Sequence, residues 1–289
     1  MLKQARKKKR YDNIILIPND FSEVCENAIL HGIELAQFLH YSVCVLHVIP
    51  PAKETDEITG STIQEQIQMK FRKCREDFGK KYNVKIDLLV KEGNILKVIN
   101  KTAKEIRANL MILGTHGKQG LQHFFGSHAL RVVLDSPCPV VVVQKRSFES
   151  GYKKIVLPVS SDFEPLQSIG WVALMNRLFN SRIHLFLSFE PDIALRNRLK
   201  QTLDQICKIF DEKKIPYETG TESSEGDFSA QIISYAISHH SDLIMIMTMP
   251  GEDVAGFNFP AWNEKLMFNE AQIPVMCVNP VDFSDEWMM

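Results

Sequence analysis

Several features that would place a chain in a broad functional class are missing from this sequence. Its six cysteines form no CxxC pair and have no metal-ligand spacing, so they provide no redox or zinc motif. The formal net charge of −1 leaves no broad basic excess and argues against nucleic acid as a specific partner. No run reaches the roughly 20 apolar residues that a membrane-spanning helix needs. We therefore expect a cytoplasmic protein with neither a membrane nor a specific nucleic-acid partner.

Residues 1–10 depart from this neutral balance, because most positions from Lys3 to Arg10 are basic. The segment has no apolar periodicity, which predicts a disordered basic arm. Contact with an anionic membrane or with nucleic acid is one interpretation of the arm. The interpretation that we favour is a solvated tail ahead of the first strand.

Apolar runs of strand length alternate with amphipathic helical stripes along the rest of the chain. With 45% hydrophobic residues among 289, the chain can bury two ordinary cores. The alternation predicts β-α-β units and therefore parallel sheets. The strands predicted in the first half are Ile14–Ile17, Ser42–Ile49, Val84–Val90, Asn109–Leu113 and Val140–Val143. The predicted helices are a stripe from Val24 to Leu39 capped by Ser22, Thr62–Tyr82, Ile95–Ile106, and a helix capped by Ser127 that runs to Leu134.

The second half repeats this pattern. Tyr152–Pro158 echoes Tyr11–Ile17, and Asp242–Thr248 parallels Asn109–Thr115. A strand at Ile183–Phe189, a helix at Leu195–Phe210 and the apolar run Ile273–Val278 complete the repeat. A duplication of about half the chain explains these echoes, with one domain at residues 11–146 and a second at residues 151–282. Cys44 and Cys277 fall inside apolar runs, which predicts protonated, inert thiols.

A glycine-punctuated loop lies between the strand ending at Leu113 and the helix that follows it. Such a loop directs backbone N–H groups and the positive end of the helix dipole to one point, where a phosphate binds well. Gly114, Gly117 and Gly126 would leave room for the anion and for positive φ angles, and Ser127 adds a hydroxyl. Lys118 could neutralise phosphate charge. A plain turn is the alternative interpretation, since loops often contain glycine.

Together with Ile14–Ser22 and Ser136–Val143, this loop resembles the universal stress protein family. The family's phosphate loop reads Gly, two residues, Gly, nine residues, Gly-Ser/Thr. Gly114, Gly117, Gly126 and Ser127 match it, although only eight residues separate Gly117 from Gly126. The resemblance implies two tandem Rossmann-like (adenine nucleotide alpha hydrolase-like) α/β domains, each a mostly parallel five-stranded sheet flanked by helices. It further implies that Val140–Val143 and Val275–Val278 lie side by side, as an intrachain pseudo-dimer.

The same resemblance implies an adenine nucleotide as ligand, namely ATP, AMP or ADP, with Mg²⁺ as an accompanying ion. Asp20 matches the acidic residue of the family's first-strand motif, and Val48 matches the residue whose backbone meets the adenine. Pro18 and Asp20 follow the first strand, at the edge where open α/β sheets bind ligands. The carboxylate of Asp20 could contact a ribose hydroxyl or a phosphate-bound Mg²⁺. A turn residue that caps the next helix is an equally good interpretation of Asp20.

The corresponding loop of the second half has lost this chemistry. Met247 and Pro250 replace the first two glycines, and Glu252 and Asp253 would repel a phosphate. Four aromatic residues lie nearby, and they form either a partner surface or, as we favour, a packed filling of the empty site. They are Phe257, Phe259, Trp262 and Phe268. Nucleotide binding is therefore expected in the first half alone.

Two functional classes remain open at this stage. The first is a nucleotide-binding regulatory protein of the stress response, which acts on an unidentified protein partner. The second is a ligand-free scaffold that works through protein contacts. No Walker lysine, nucleophile with an adjacent base or paired carboxylates are present, so we expect no enzymatic activity beyond a weak ATPase. A homodimer of the tandem chains is open as well.

Overall fold

The computed structural model describes residues 13–51, 83–115, 126–149, 151–161, 168–222, 224–248 and 261–280, with single positions between 65 and 82. Its ten strands among these residues are β1 Ile14–Pro18, β2 Ser42–Ile49, β3 Ile86–Glu92, β4 Leu110–Gly114, β5 Val140–Val143, β6 Lys154–Val159, β7 Arg182–Leu187, β8 Tyr217–Glu222, β9 Leu243–Met247 and β10 Val275–Val278. The helices are α1 Glu23–Leu39, α2 Lys80–Tyr82, α3 Ile95–Ile106, α4 Gly126–Leu134, α5 Ile169–Phe179, α6 Ile193–Lys213, α7 Phe228–Ser238 and α8 Ala261–Met267. None of these helices is long and apolar enough to cross a membrane.

All ten strands form one sheet, in the order β3-β2-β1-β4-β5-β10-β9-β6-β7-β8. Every neighbouring pair is parallel except β5 and β10, which run antiparallel with Val142 opposite Val275. The sheet therefore consists of two five-stranded parallel halves with the same strand order, joined at their last strands. The expected α/β fold and the pairing of the two valine-rich strands are confirmed.

The apolar runs predicted as strands are buried on both faces of this sheet, as parallel strands between helical layers usually are. β4 and β5 are buried along their whole length. α1 packs on the face that carries Ile15 and Ile17, and α3 packs on the opposite face with Leu16 and Leu46. The core is thus two apolar layers, one on each side of the sheet.

The duplication predicted from the sequence is also visible in the backbone. Gly93 and Gly226 both have φ near +130°, at 135° and 131°, just before α3 and α7. Their next residues, Asn94 and Asp227, cap these two helices by accepting backbone N–H groups. The sheet register differs from the sequence echo by one residue. Because Pro18 pairs with Leu46 as Pro158 pairs with Phe186, Pro158 is equivalent to Pro18 and not to Ile17.

Several local predictions need correction, and much of the predicted helix Thr62–Tyr82 lies outside the described residues. β3 begins at Ile86, so Val84 belongs to the turn that precedes it. Ser22 occupies the cap position of α1, but its hydroxyl makes no capping hydrogen bond. α4 begins at Gly126 and includes Ser127, which is therefore not its cap. Helix ends are the least determined part of a sequence pattern, because several polar residues near an end can take the same role.

The buried thiols follow the prediction of inert cysteines. Burial raises the pKa of Cys44 to about 12, with the Asp87 carboxylate adding to the effect. Burial alone raises the pKa of Cys277 well above its ordinary value. Both thiols are therefore protonated at neutral pH and are poor nucleophiles.

Side chains reach across the junction between the two halves of the sheet. Asn279, directly after β10, donates to the carbonyl oxygens of Val133 (2.7 Å) and Ser136 (2.9 Å) at the end of α4. Gln144, directly after β5, donates in turn to the carbonyl of Asn269 (2.8 Å) after α8. Each half thus satisfies carbonyl groups at the helix end of the other.

A buried histidine of α1 takes part in the same junction. His31 is 1% exposed, and its Nε2 lies 2.5 Å from the Tyr152 hydroxyl of the second half. The ring of Phe148 packs edge-on against it, with centroids 4.8 Å apart. Burial lowers the pKa of His31 from 6.5 to about 3, so the imidazole is neutral at physiological pH.

We predict that His31 makes the folded protein sensitive to acid. Unfolding restores the ordinary pKa of 6.5, so the stabilisation that depends on the neutral ring is complete above pH 6.5 and falls as the pH drops toward 3. Within this window, each fall of one pH unit lowers the free energy of unfolding by up to about 1.4 kcal/mol. Urea unfolding at a series of pH values measures the slope.

His31→Gln is the matched variant, because its amide can replace the Nε2 contact to Tyr152 without titrating. The free energy of unfolding of this variant should depend less steeply on pH than that of the wild type, by an amount that corresponds to the uptake of up to one proton. The pKa values of His47 and His184 are also lowered by burial, so a residual slope of the same sign stays. Identical slopes for the two proteins would show that His31 is not the group responsible.

Candidate functional site

The strand order places a topological switch point between β1 and β4. The chain leaves β1 into α1 on one face, while the connections through α3 and α4 cover the other face. Loops at the carboxyl ends of such strands diverge and leave a crevice, which is the usual ligand site of open α/β sheets. The segment after β1 and the segment after β4 both open at this crevice.

A cavity of about 170 Å³ lies at the carboxyl ends of β1 and β2, on the side of α3. Its walls are mainly apolar, and its rim is formed by the segment Pro18–Asp20. Pro18, Asp20 and Val48, three of the residues selected from the sequence, all line it. The other lining residues include Cys25, Leu46, His47, Ile95 and Ile99. An apolar cleft with a few polar groups at its rim is the usual form of a small-molecule site.

The exposed carboxylate of Asp20 stands at the rim of this cavity. Its Oδ1 accepts the backbone N–H of Ser22 at 2.9 Å. The turn-forming interpretation of Asp20 therefore describes part of what this residue does. A carboxylate has about four lone-pair sites and can accept more than one hydrogen bond.

The segment that carries Asp20 is fixed by hydrogen bonds of its neighbour Asn19. The Asn19 N–H donates to the carbonyl of Leu46 (2.8 Å), and its side-chain oxygen accepts the N–H of Phe21 (2.7 Å). The carbonyl of Asn19 accepts a hydrogen bond from Nδ1 of His47 (2.7 Å). Sequence reasoning did not select Asn19 or His47. The available signal was two polar residues where two neighbouring buried strands end.

Comparison with known proteins fits this architecture. Residues 13–144 match the sequence model described as the Universal stress protein family. A curated universal stress protein from Methanocaldococcus jannaschii is 33% identical over 139 residues, which cover 45% of this chain and 81% of that protein. The chain belongs to the universal stress protein family.

Two solved structures have the same fold over nearly the full chain. A universal stress protein from Archaeoglobus fulgidus DSM 4304 matches with a TM-score of 0.75 and 14% identity, covering 93% of this chain and 98% of that one. A functionally unknown protein from Pseudomonas aeruginosa PAO1 matches with a TM-score of 0.59 and 12% identity, covering 93% of each chain. At these identities the likeness concerns the fold alone.

The structural role of Gly114 in this universal stress protein differs from the role that the sequence predicted. It does not have a positive φ angle. A Cβ at this position would lie 2.8 Å from the Val24 carbonyl oxygen and 3.2 Å from Cβ of Ala28, both in α1. Gly114 is therefore required for the close approach of α1 to β4. This packing brings the start of α1 against the switch point.

The other loop residues selected from the sequence are described only in part or not at all. Gly117 and Lys118 lie outside the described residues, and Gly126 and Ser127 are described only as the first two residues of α4. Thr115, which sequence reasoning did not select, follows β4 and is fully buried. Its Oγ1 has no hydrogen-bond partner within the described part of the chain.

The second half of this universal stress protein has aromatic rings where the first half has its cavity. By sheet register, Phe186 is equivalent to Leu46, and Phe228 begins α7 as Ile95 begins α3. The rings of Phe186 and Phe228 stack with centroids 5.8 Å apart and an interplanar angle of 20°. Phe268 is also buried in this layer, as the packing interpretation expected, whereas Phe257 and Phe259 lie outside the described residues.

The corresponding edge of the second half carries its carboxylate at a different position, Glu190. Glu190 accepts hydrogen bonds from the hydroxyls of Ser161 (2.7 Å) and Ser188 (2.9 Å). Ser188 is equivalent to Val48 in the sheet register. The acidic residues Glu252 and Asp253, on which the predicted difference between the halves partly rests, lie outside the described residues.

We predict that Gly114→Ala destabilises the protein by about 1–3 kcal/mol, because the new methyl group has no room between β4 and α1. The free energy of unfolding in urea measures the effect. Gly170→Ala in α5 is the matched control, since nothing lies within 4 Å of a Cβ there. The control should be neutral or stabilising by about 0.5–1 kcal/mol. Equal effects of the two changes would contradict the packing role of Gly114.

Proposed function

We propose that the first half binds ATP or a related adenine nucleotide, and that the chain acts as a cytoplasmic regulatory protein of the stress response. The observation that carries the proposal is the apolar cavity at the carboxyl ends of β1 and β2, beside the switch point. We also propose residues 11–146 and 151–282 as the two domains, with the site in the first.

The volume and the apolar lining of the cavity favour a flat ring system as the buried part of the ligand. At about 170 Å³ it is smaller than the ~300–1,000 Å³ typical of whole-ligand pockets, so it suits one ring system while the rest of the ligand lies across the open rim. Leu46 and Val48 come from β2, and Ile95 and Ile99 from α3, so a planar base can lie between strand and helix. Adenine supplies such a base.

The polar groups at the rim suit the remaining parts of a nucleotide. Asp20 can accept a hydrogen bond from a ribose hydroxyl, or approach a Mg²⁺ ion bound to the phosphates. Gly117, Lys118, Gly126 and Ser127 are the residues that we assign to the phosphates, on the loop pattern and on the position of α4 after the switch point. Such a site binds and positions a nucleotide.

We predict that the double variant Leu46→Phe/Ile95→Phe loses nucleotide binding, because it introduces the two rings that fill the equivalent place in the second half. Equilibrium titration with a fluorescent ATP analogue should show saturable binding by the wild type and affinity weakened at least about tenfold in the double variant. Gly117→Val should weaken binding as well, through the phosphate loop.

Ile237→Phe is the control, because Ile237 lies on α7 and is 52% exposed. It adds a ring of the same kind without filling the cavity and should bind like the wild type. Absence of saturable binding by the wild-type protein would favour the alternative, a ligand-free scaffold that acts through protein contacts. Unchanged binding by the double variant would place the nucleotide elsewhere.

A further inference from the structure

We propose that His47 is a positioning residue for the nucleotide site: it holds the segment that presents Asp20 in its binding conformation. This inference rests on the proposed function, since it concerns the same site. It adds a role for a side chain that the family resemblance does not supply. Hydrogen bonds, ring contacts and one unusual backbone angle among the described residues support it.

The hydrogen bond from His47 to Asn19 determines the tautomer of the imidazole. Nδ1 lies 2.7 Å from the Asn19 carbonyl oxygen, which can only accept, so Nδ1 carries the proton. Burial lowers the pKa of His47, so the ring is neutral and Nε2 is an acceptor. His47 also lines the cavity. A single side chain of β2 therefore contacts both the ligand cavity and the segment after β1.

The residue after Asp20 adopts a backbone conformation that needs external support. Phe21 has φ = 66°, in the left-handed region that a bulky side chain rarely enters. The N–H of Phe21 donates to the Asn19 side chain, and its ring packs against the ring of His47 with centroids 4.6 Å apart. A conformation of this kind is unfavourable and persists where the surroundings hold it. His47 supplies one of the contacts that hold it.

Asp20 lies between two residues that His47 contacts directly. On one side the Asn19 carbonyl accepts the His47 hydrogen bond, and on the other the Phe21 ring packs on the imidazole. The direction of the Asp20 side chain depends on the backbone angles of this short segment. Loss of the imidazole would therefore release Asp20 from the rim of the cavity.

The duplicated half provides an internal comparison. Pro18 pairs with Leu46 as Pro158 pairs with Phe186, and one residue further on Val159 and Leu187 stand in place of Asn19 and His47. Leu187 has no hydrogen-bond donor in its side chain, and Val159 has no side-chain acceptor of the kind that Asn19 offers to the N–H of Phe21. The half whose cavity is filled by aromatic rings has thus also lost this pair, whereas the half with an open cavity has kept it. This is the distribution expected of a pair that serves ligand binding.

The test compares replacements of His47 by nucleotide titration. His47→Leu removes the hydrogen-bond donor. His47→Gln places an amide near the position of Nε2 and not near that of Nδ1, which makes the bond. Both should weaken binding by about tenfold, the effect of losing one well-placed hydrogen bond. His47→Asn places an amide donor near the position of Nδ1 and should restore most of the wild-type affinity. Rescue by Asn but not by Gln is a result that general destabilisation of the fold would not give.

A double-variant cycle then separates positioning from direct contact. If His47 acts through Asp20, His47→Leu should have no further effect on affinity in an Asp20→Ala background. Additive losses would overturn the inference, because they would show an independent contribution of the imidazole. Wild-type affinity in both His47→Leu and His47→Gln would overturn it as well.

NMR of the ligand-free proteins keeps the inference testable if a variant binds nothing. In the wild type, the ¹⁵N shifts of His47 should report a proton on Nδ1, and His47→Leu should shift the amide signals of Asp20 and Phe21. An unchanged signal from either amide, or a proton on Nε2, would contradict the proposed geometry. Failure of the wild-type protein to bind any adenine nucleotide would overturn the proposed function, while these NMR results would still decide the positioning of the segment.

Discussion

The antiparallel pairing of β5 with β10 is the interaction on which the rest of the structure depends. Both strands are short and fully buried, and either one alone would present an unpaired apolar edge. Within one chain each edge closes the other, so ten strands form a continuous sheet. Asn279 and Gln144, which directly follow these strands, strengthen the joint by capping helix ends in the opposite half. The joint therefore fixes the positions of the strands at the centre of the sheet.

The two halves differ away from this joint. At the carboxyl ends of the first two strands, one half has an apolar cavity with Asp20 at its rim, and the other has stacked rings and a carboxylate at Glu190. Both arrangements leave the strand order and the N-terminal caps of α3 and α7 unchanged. Gly93 and Gly226 still have the same unusual φ angle. The strand order is duplicated, whereas the side chains at the carboxyl ends of the first two strands differ between the halves.

Much of the fold could be predicted from the sequence, because it depends on local patterns. Ser42–Ile49 and Val140–Val143 are strands with the bounds that their apolar runs indicate, and Ile95–Ile106 is a helix with the bounds of its stripe. The role of Gly114 could not be predicted, because the atoms that exclude a Cβ belong to α1, far away in the chain. The bond between His47 and Asn19 likewise joins residues 28 positions apart. A pattern in one segment does not show which groups of another segment it meets.

The central claim of this account is that one chain holds one adenine nucleotide, in its first half. Native mass spectrometry of the intact protein with added ATP tests it most directly, because it counts bound ligands per chain. The account predicts that the signal saturates at a single nucleotide per chain. A second nucleotide bound with similar affinity, or no retained nucleotide at all, would contradict it.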